Sequence, residues 1–136
     1  MALKVTLKPG EQFVVNGAVI KNGERRANFI IQNKVSLLRE KDILQEDEAT
    51  TPVRRIYFAI MLMYLDTEGS GGYYDEFMLR MSEFMGAITD AETRRACLSI
   101  SSDVLAKDYY KALATCRKLF DFEASRLNYN PYSPAA

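Results

Sequence analysis

Apolar and polar residues alternate at the start of the chain, where Leu3, Val5 and Leu7 are interleaved with Lys4, Thr6 and Lys8. A period of two is the signature of a half-buried strand, and Pro9-Gly10 ends it. Phe13-Val14-Val15 and Ala18-Val19-Ile20 flank Asn16-Gly17, and a second Asn-Gly follows at Asn22-Gly23. Asn-Gly supplies the positive φ angles of tight hairpin turns, so this spacing predicts antiparallel neighbours. Two more strands are expected over residues 28–31 and 35–38, with Gln32-Asn33 as the turn between them. The pattern amounts to one sheet of about five short strands.

From residue 51 the period changes. Thr51-Pro52 has the form of a helix start, threonine capping and proline in the first turn. The following helix should reach Asp66 and be largely buried, because Ile56 to Leu65 is apolar nearly all round. Residues 67–72 (Thr-Glu-Gly-Ser-Gly-Gly) read as a flexible break. A second helix is expected over residues 73–88, with Tyr74, Met78, Met81, Met85 and Ile88 on one stripe that Phe77 and Phe84 widen. Thr89-Asp90-Ala91-Glu92 resembles a capping box and opens a third helix. Serines 99, 101 and 102 suggest a break near its end. A fourth helix is then expected over residues 104–127, with Leu105, Tyr109, Ala112, Cys116 and Leu119 on one face. The predicted fold is α+β: a basic antiparallel β unit with an acidic exit (residues 1–48), a bundle of about four helices (49–127) and a flexible tail (128–136).

Formal charge over the 136 residues is zero, but it is unevenly spread. Up to Lys41 there are eight cations (Lys4, Lys8, Lys21, Arg25, Arg26, Lys34, Arg39 and Lys41) against Glu11, Glu24 and Glu40, a local charge of +5. Asp42, Glu46, Asp47 and Glu48 then follow. Cations on a sheet can grip RNA phosphates, and arginine can also stack on splayed bases, so Lys4, Lys21, Arg25, Arg26, Lys34, Arg39 and Lys41 are the candidate RNA contacts. The methionine stripe, Tyr74, Met78, Met81 and Met85, is the candidate surface for a protein partner or a second copy, since methionine suits adaptable grooves.

Other chemistries find little support. There is no histidine, which removes Ser-His-Asp and Cys-His catalysis and most zinc sites. Cys97 and Cys116 are far apart in sequence and lie in helical patterns, as small buried hydrophobes do. The acidic run lacks the glycine and spacing of a calcium loop, and Gly69-Ser70-Gly71-Gly72 lacks the lysine and preceding strand of a phosphate loop. No cofactor, metal or catalytic site is expected, so the chain reads as no enzyme. Its longest apolar run is shorter than the ~20 residues a membrane span needs, and a cytoplasmic location is expected.

Six blocks, in their order and spacing, resemble the FlbT family: residues 7–11 (Leu-Lys-Pro-Gly-Glu), 15–19 (Val-Asn-Gly-Ala-Val), 37–43 (Leu-Leu-Arg-Glu-Lys-Asp-Ile), 50–58 (Thr-Thr-Pro-Val-Arg-Arg-Ile-Tyr-Phe), 63–66 (Met-Tyr-Leu-Asp) and 109–113 (Tyr-Tyr-Lys-Ala-Leu). That resemblance implies a post-transcriptional repressor of flagellin synthesis. Such a protein associates with the 5′ untranslated region of flagellin mRNA and promotes its decay, although some members favour flagellin synthesis. It also implies flagellin mRNA leader, FlaF or flagellin as partners. The alternative is a protein-interaction module that binds flagellin or a flagellar chaperone and affects mRNA indirectly. Within the β unit alone, Gly10-Glu11 and residues 38–43 are also similar to CsrA-type translational regulators, whose closing arginine touches RNA; Arg39 matches that arginine and Lys4 falls on the matching first strand. The glycine-rich middle of that second family is not matched.

Overall fold

The computed structural model describes residues 3–66 and 71–128. Five strands precede four helices, the expected α+β order: β1 (Leu3–Leu7), β2 (Gln12–Val15), β3 (Ala18–Lys21), β4 (Ala27–Ile31) and β5 (Leu37–Arg39), then α1 (Pro52–Leu65), α2 (Tyr73–Ala87), α3 (Ala91–Leu105) and α4 (Tyr109–Asn128). The glycine-rich break at 67–72 and the expected tail at 128–136 lie mostly outside the described residues. The described residues form two compact units, one of residues 3–43 with 64–66, the other of residues 44–63 with 71–128.

In the first unit the strands form two antiparallel sheets, not the single sheet expected. One is β1-β4 and the other is β3-β2-β5. The first Asn-Gly behaves as its chemistry dictates: Asn16 and Gly17 both take positive φ (49° and 83°) and join Val15 to Ala18 across a two-residue hairpin. The second Asn-Gly makes no hairpin. Residues 22–26 carry the chain to β4, which pairs with β1 in the register Leu3↔Ile31 to Leu7↔Ala27. Gln32-Asn33 makes no hairpin either, because β5 returns to β2. β5 also starts two residues later than expected. Asn16 secures it there, donating its N–H to the Ser36 carbonyl and accepting the Ser36 N–H on its side chain, both at 2.8 Å. The Tyr64 hydroxyl bonds both polar backbone groups of Leu37 at 2.8 and 2.9 Å, satisfying them at the sheet edge. Between the sheets Val5, Leu7 and Phe13 are buried, with Val15, Phe29, Ile31 and Leu37 packed on them.

In the second unit each helix buries one stripe. α1 buries Val53, Ile56, Tyr57 and Ile60; α3 buries Thr93, Cys97, Ile100 and Val104; α4 buries Ala112, Leu113, Cys116 and Leu119, the i, i+3/i+4, i+7 spacing of amphipathic helices. On α2 the buried residues are Phe77, Met81 and Phe84, whereas Tyr74 and Met78 are exposed. The stripe expected through Tyr74, Met78, Met81 and Met85 is therefore split, and the two phenylalanines hold the centre of the buried face. α3 does not break at its serines. Ser101 donates its hydroxyl to the Cys97 carbonyl (2.9 Å), the i−4 back-bond that helices tolerate. The helix ends at Leu105, after which the Lys107 N–H meets the Val104 carbonyl and the Asp108 N–H meets the Asp103 carbonyl, with Lys107 at φ 61°. This is a Schellman turn with lysine in the place glycine usually takes. Leu105 thus closes α3 and is exposed, and does not belong to the α4 stripe. The cap of α3 is Asp90, not Thr89: its carboxylate accepts the Thr93 N–H at 2.9 Å.

One polar residue interrupts the buried stripe of α4. Glu123 is 7% exposed. Its carboxylate accepts the Val53 N–H at 2.8 Å and the Thr51 hydroxyl, and Thr51 in turn accepts the Arg54 N–H at 3.2 Å. An acid on the last helix thereby satisfies orphan donors at the start of the first. Glu123→Ala strands the buried Val53 N–H and should cost about 1–3 kcal/mol in urea unfolding followed by circular dichroism. Glu92→Ala, at an exposed position, should stay within about 0.5 kcal/mol.

Candidate functional site

Most of the described cations of the β unit, but not Lys4 or Lys34, gather near the turn after β1. Lys8-Pro9-Gly10-Glu11 closes with a bond from the Glu11 N–H to the Lys8 carbonyl (3.1 Å), Gly10 lying at φ 72°. Proline second and a positive φ third define a type II turn. The Glu11 carboxylate folds back to accept the Lys8 N–H at 2.9 Å.

The second Asn-Gly closes on this turn. The Asn22 side-chain amide donates to the carbonyls of Lys8 (2.8 Å), Arg25 (2.9 Å) and Leu7 (3.3 Å). Its backbone N–H reaches the Glu11 carbonyl at 2.8 Å, and the Gly10 N–H reaches the Gly23 carbonyl at 2.9 Å. One asparagine thus ties the exit of β1, the exit of β3 and the approach to β4. It brings the backbones of Lys8, Lys21 and Arg25 to the same end of the unit. Since Leu7 pairs with Ala27, continuing the register sets Arg26 opposite Lys8.

Arg39 is placed differently from the other cations. It is half-buried, and its Nη2 donates to the Thr6 carbonyl (2.8 Å) and the Glu11 carboxylate (3.3 Å), so it joins β5 to β1 and to the turn. Its Nε is covered and has no acceptor among the described residues. The backbone N–H of Lys8, followed by the Arg39 guanidinium, holds the Glu11 carboxyl below the usual carboxylate range.

A groove of about 540 Å³ opens beside the turn, lined by Lys8, Pro9, Gly10, Glu11, Arg39, Glu40 and Lys41. One Glu40 oxygen accepts the Gln12 N–H at 3.3 Å. Lys8, Lys21, Arg25, Arg26 and Lys41 are exposed and make no ion pair among the described residues. Of the seven candidate RNA contacts, the structure gathers Lys21, Arg25, Arg26, Arg39 and Lys41 near the turn. Lys4 lies on the outer face of β1-β4, opposite Ile30. Lys34 follows Ile31, the partner of Leu3, and so sits at the other end of a ribbon about 13 Å long. Lys8, Asn22 and Glu11 were not among the candidates. Only the Pro-Gly turn hinted at Lys8, because charge along a sequence does not reveal which lysine the fold brings to a groove.

On the helical unit Tyr74, Met78 and Leu79 are exposed, while Met81 is buried and Met85 half-buried. Both cysteines are buried, and burial pushes the Cys97 thiol up to about 11 and the Cys116 thiol higher still. Among the described residues no cluster of metal-ligating side chains occurs, and no helix is long and apolar enough to cross a membrane.

Fold and surface together define a small α+β protein that carries exposed cations on a β unit and a separate helical unit. The family model described as "Flagellar protein FlbT" matches residues 3–127. The chain is 52% identical over 129 residues to the flagellum biosynthesis repressor protein FlbT of Caulobacter vibrioides (strain ATCC 19089 / CIP 103742 / CB 15), covering 95% of this chain and 92% of that one. It is 53% identical over 129 residues to a probable flagellum biosynthesis repressor of Caulobacter sp. (strain K31), with 95% and 98% covered. Against the corresponding protein of Rhodopseudomonas palustris (strain ATCC BAA-98 / CGA009) it is 36% identical over 128 residues, with 94% and 99% covered. No solved structure matches it. The chain belongs to the FlbT family.

Two outcomes test this geometry. Asn22→Ala should lower stability by about 1–3 kcal/mol, since it removes two good bonds and one longer one, and should speed amide exchange in β1 and β4. Asn33→Ala, exposed, should leave that exchange unchanged. The depressed Glu11 carboxyl also sets a pH dependence. Its contribution is complete above the ordinary value near 4.5 and is lost as pH falls through its lower folded value. Acid unfolding of wild type should therefore be steeper than that of Glu11→Gln below pH 4.5; superimposable acid curves would refute the Glu11 assignment.

Proposed function

We propose that this chain is a post-transcriptional repressor of flagellin synthesis, which binds single-stranded or looped RNA in the 5′ untranslated region of flagellin mRNA and promotes its decay. The observation that carries this reading is the group of exposed cations, Lys8, Lys21, Arg25, Arg26 and Lys41, around one turn of the β unit. The relatives' names, flagellum biosynthesis repressors, support the pathway and the sign. RNA is the ligand of choice for such a surface because phosphates need clustered cations without deep burial, and arginine adds stacking on unpaired bases. The reading places the protein in the cytoplasm with the message and assigns it no catalytic step, metal or cofactor.

A second reading rests on α2. Tyr74, Met78 and Leu79 are exposed there, between 40% and 52%, and an adaptable apolar face of this kind suits a protein partner. Flagellin, FlaF or a second copy would then dock on the helical unit, with an indirect effect on mRNA.

Binding of the purified protein to a flagellin leader RNA at several salt concentrations separates the two. Direct binding through phosphates should weaken steeply with salt, about 0.7 in log–log slope per contact for a single strand. Arg25→Ala/Arg26→Ala should reduce that slope by about 1.4, while Lys34→Ala should change it little. Capture of flagellin or FlaF by the purified protein, abolished by Met78→Asp, with no binding to leader RNA, would establish the second reading instead.

A further inference from the structure

We infer that the groove beside the Pro9-Gly10 turn takes one ribonucleotide unit of single-stranded RNA, with its phosphate between Lys8 and Lys41 and its ribose 2′-hydroxyl on Glu40. This assignment rests on the RNA reading above and gives it a specific seat.

The groove holds three cations and two carboxylates, but they are not equally available. Glu11 is committed on both oxygens, one to the Lys8 N–H and the other to Arg39. Arg39 is committed in the same exchange and to the Thr6 carbonyl, and its Nε is covered. Nη2 spends both of its N–H groups on the protein, so Arg39 is a positioning residue that holds the turn against β5. Lys8 and Lys41 remain, both lining the groove, exposed and without an ion pair among the described residues. Two lysines bordering one concavity suit a phosphate as point charges. The volume, about 540 Å³, falls in the range of small-ligand pockets. A flexible single strand can turn a phosphate into such a concavity, whereas an A-form duplex holds its phosphates on rigid ridges.

Glu40 would be out of place in a site for phosphate alone. It is exposed, lines the same groove and uses one oxygen for the Gln12 N–H, leaving the other without a bond among the described residues. A carboxylate near a phosphate seat can accept a ribose hydroxyl, as the acidic residue of dinucleotide-binding folds does. The 2′-hydroxyl is the group by which a protein separates RNA from DNA. The mixture of two lysines and one available carboxylate thus matches a ribonucleotide better than an isolated anion.

The test uses the full chain, hexauridylate and its deoxy counterpart, alongside flagellin leader RNA. Wild type should bind hexauridylate about tenfold more tightly than hexadeoxyuridylate, the worth of one hydrogen bond to a charged group; Glu40→Ala should bind the two alike. Lys8→Ala/Lys41→Ala should bind hexauridylate about tenfold more weakly, with the salt slope reduced by about 0.7, the worth of the one phosphate they share. Both lysines are exposed, so the double variant should keep the unfolding midpoint of wild type. If wild type binds the leader but the lysine variant binds hexauridylate as wild type does, or if wild type ignores hexauridylate or prefers neither sugar, the groove assignment is overturned and the RNA reading stands. If wild type binds neither RNA, both fall.

Discussion

Strands of three to five residues in two separate sheets do not hold a β unit together by their ladders alone, and the constraint that supplies the remainder is the side-chain amide of Asn22. It has two N–H donors and spends them on three carbonyls that belong to the ends of β1 and the approach to β4. Without it the Arg25 carbonyl would depend on water at a point where three chain segments converge, and the Lys8 carbonyl would keep only the Glu11 N–H. Arg39 adds the complementary tie from β5 to β1. The backbones of Lys8 and Arg25 and the approach of β5 to the Pro-Gly turn are held by these two side chains.

The helical unit uses the same device in a drier setting. Its helices bury regular apolar stripes, and such stripes specify which face is inside without fixing how far one helix slides along another. Glu123 fixes that for α1 and α4, because a buried carboxylate must meet its donors at hydrogen-bond distance. The cost of burying it is offset by two bonds to groups that would otherwise be orphans at a helix start. Polar residues in both units therefore select one arrangement among several that apolar packing alone would tolerate.

This division explains what was legible in the sequence. Local signals read correctly: the alternation of Leu3, Val5 and Leu7, the hairpin at Asn16-Gly17, the start of α1 at Thr51-Pro52 and the buried α4 positions Ala112, Cys116 and Leu119, though not the α2 stripe. Pairing between distant segments did not, since nothing in β4 names β1 as its partner. The same dipeptide, Asn-Gly, serves once as a turn and once as a hub, and its backbone chemistry alone does not separate the two uses. The serines near 101 suggested a break because serine often ends helices, but Thr93, Cys97, Ile100 and Val104 keep α3 on its buried track past them. The true end at Lys107 lacks the glycine that marks such turns. For the site, counting charges included Lys8 in the basic unit, but the candidate RNA contacts left it out. The likeness to CsrA-type regulators singled out Arg39 as an RNA contact, whereas its Nη2 is bonded to the Thr6 carbonyl and the Glu11 carboxylate.

A chain of zero net charge can still present a cationic surface when its acids are consumed locally. Glu11 spends its charge on Arg39 and on a backbone N–H, and Glu40 gives one oxygen to Gln12. Each such bond draws a carboxylate towards the protein and leaves neighbouring lysines facing solvent without a partner. The field outside the turn is then set by the charges around it, Lys8, Lys41, Lys21 and Arg25 together with Glu24 and Glu40, not by the balance over the whole chain. At physiological ionic strength a charge is screened beyond about 8 Å, so acids elsewhere in the sequence contribute little there. Net charge measures solubility; a surface of this size answers only to the residues within a screening length of it, and the hydrogen bonds of Asn22, Glu11 and Arg39 decide which residues those are.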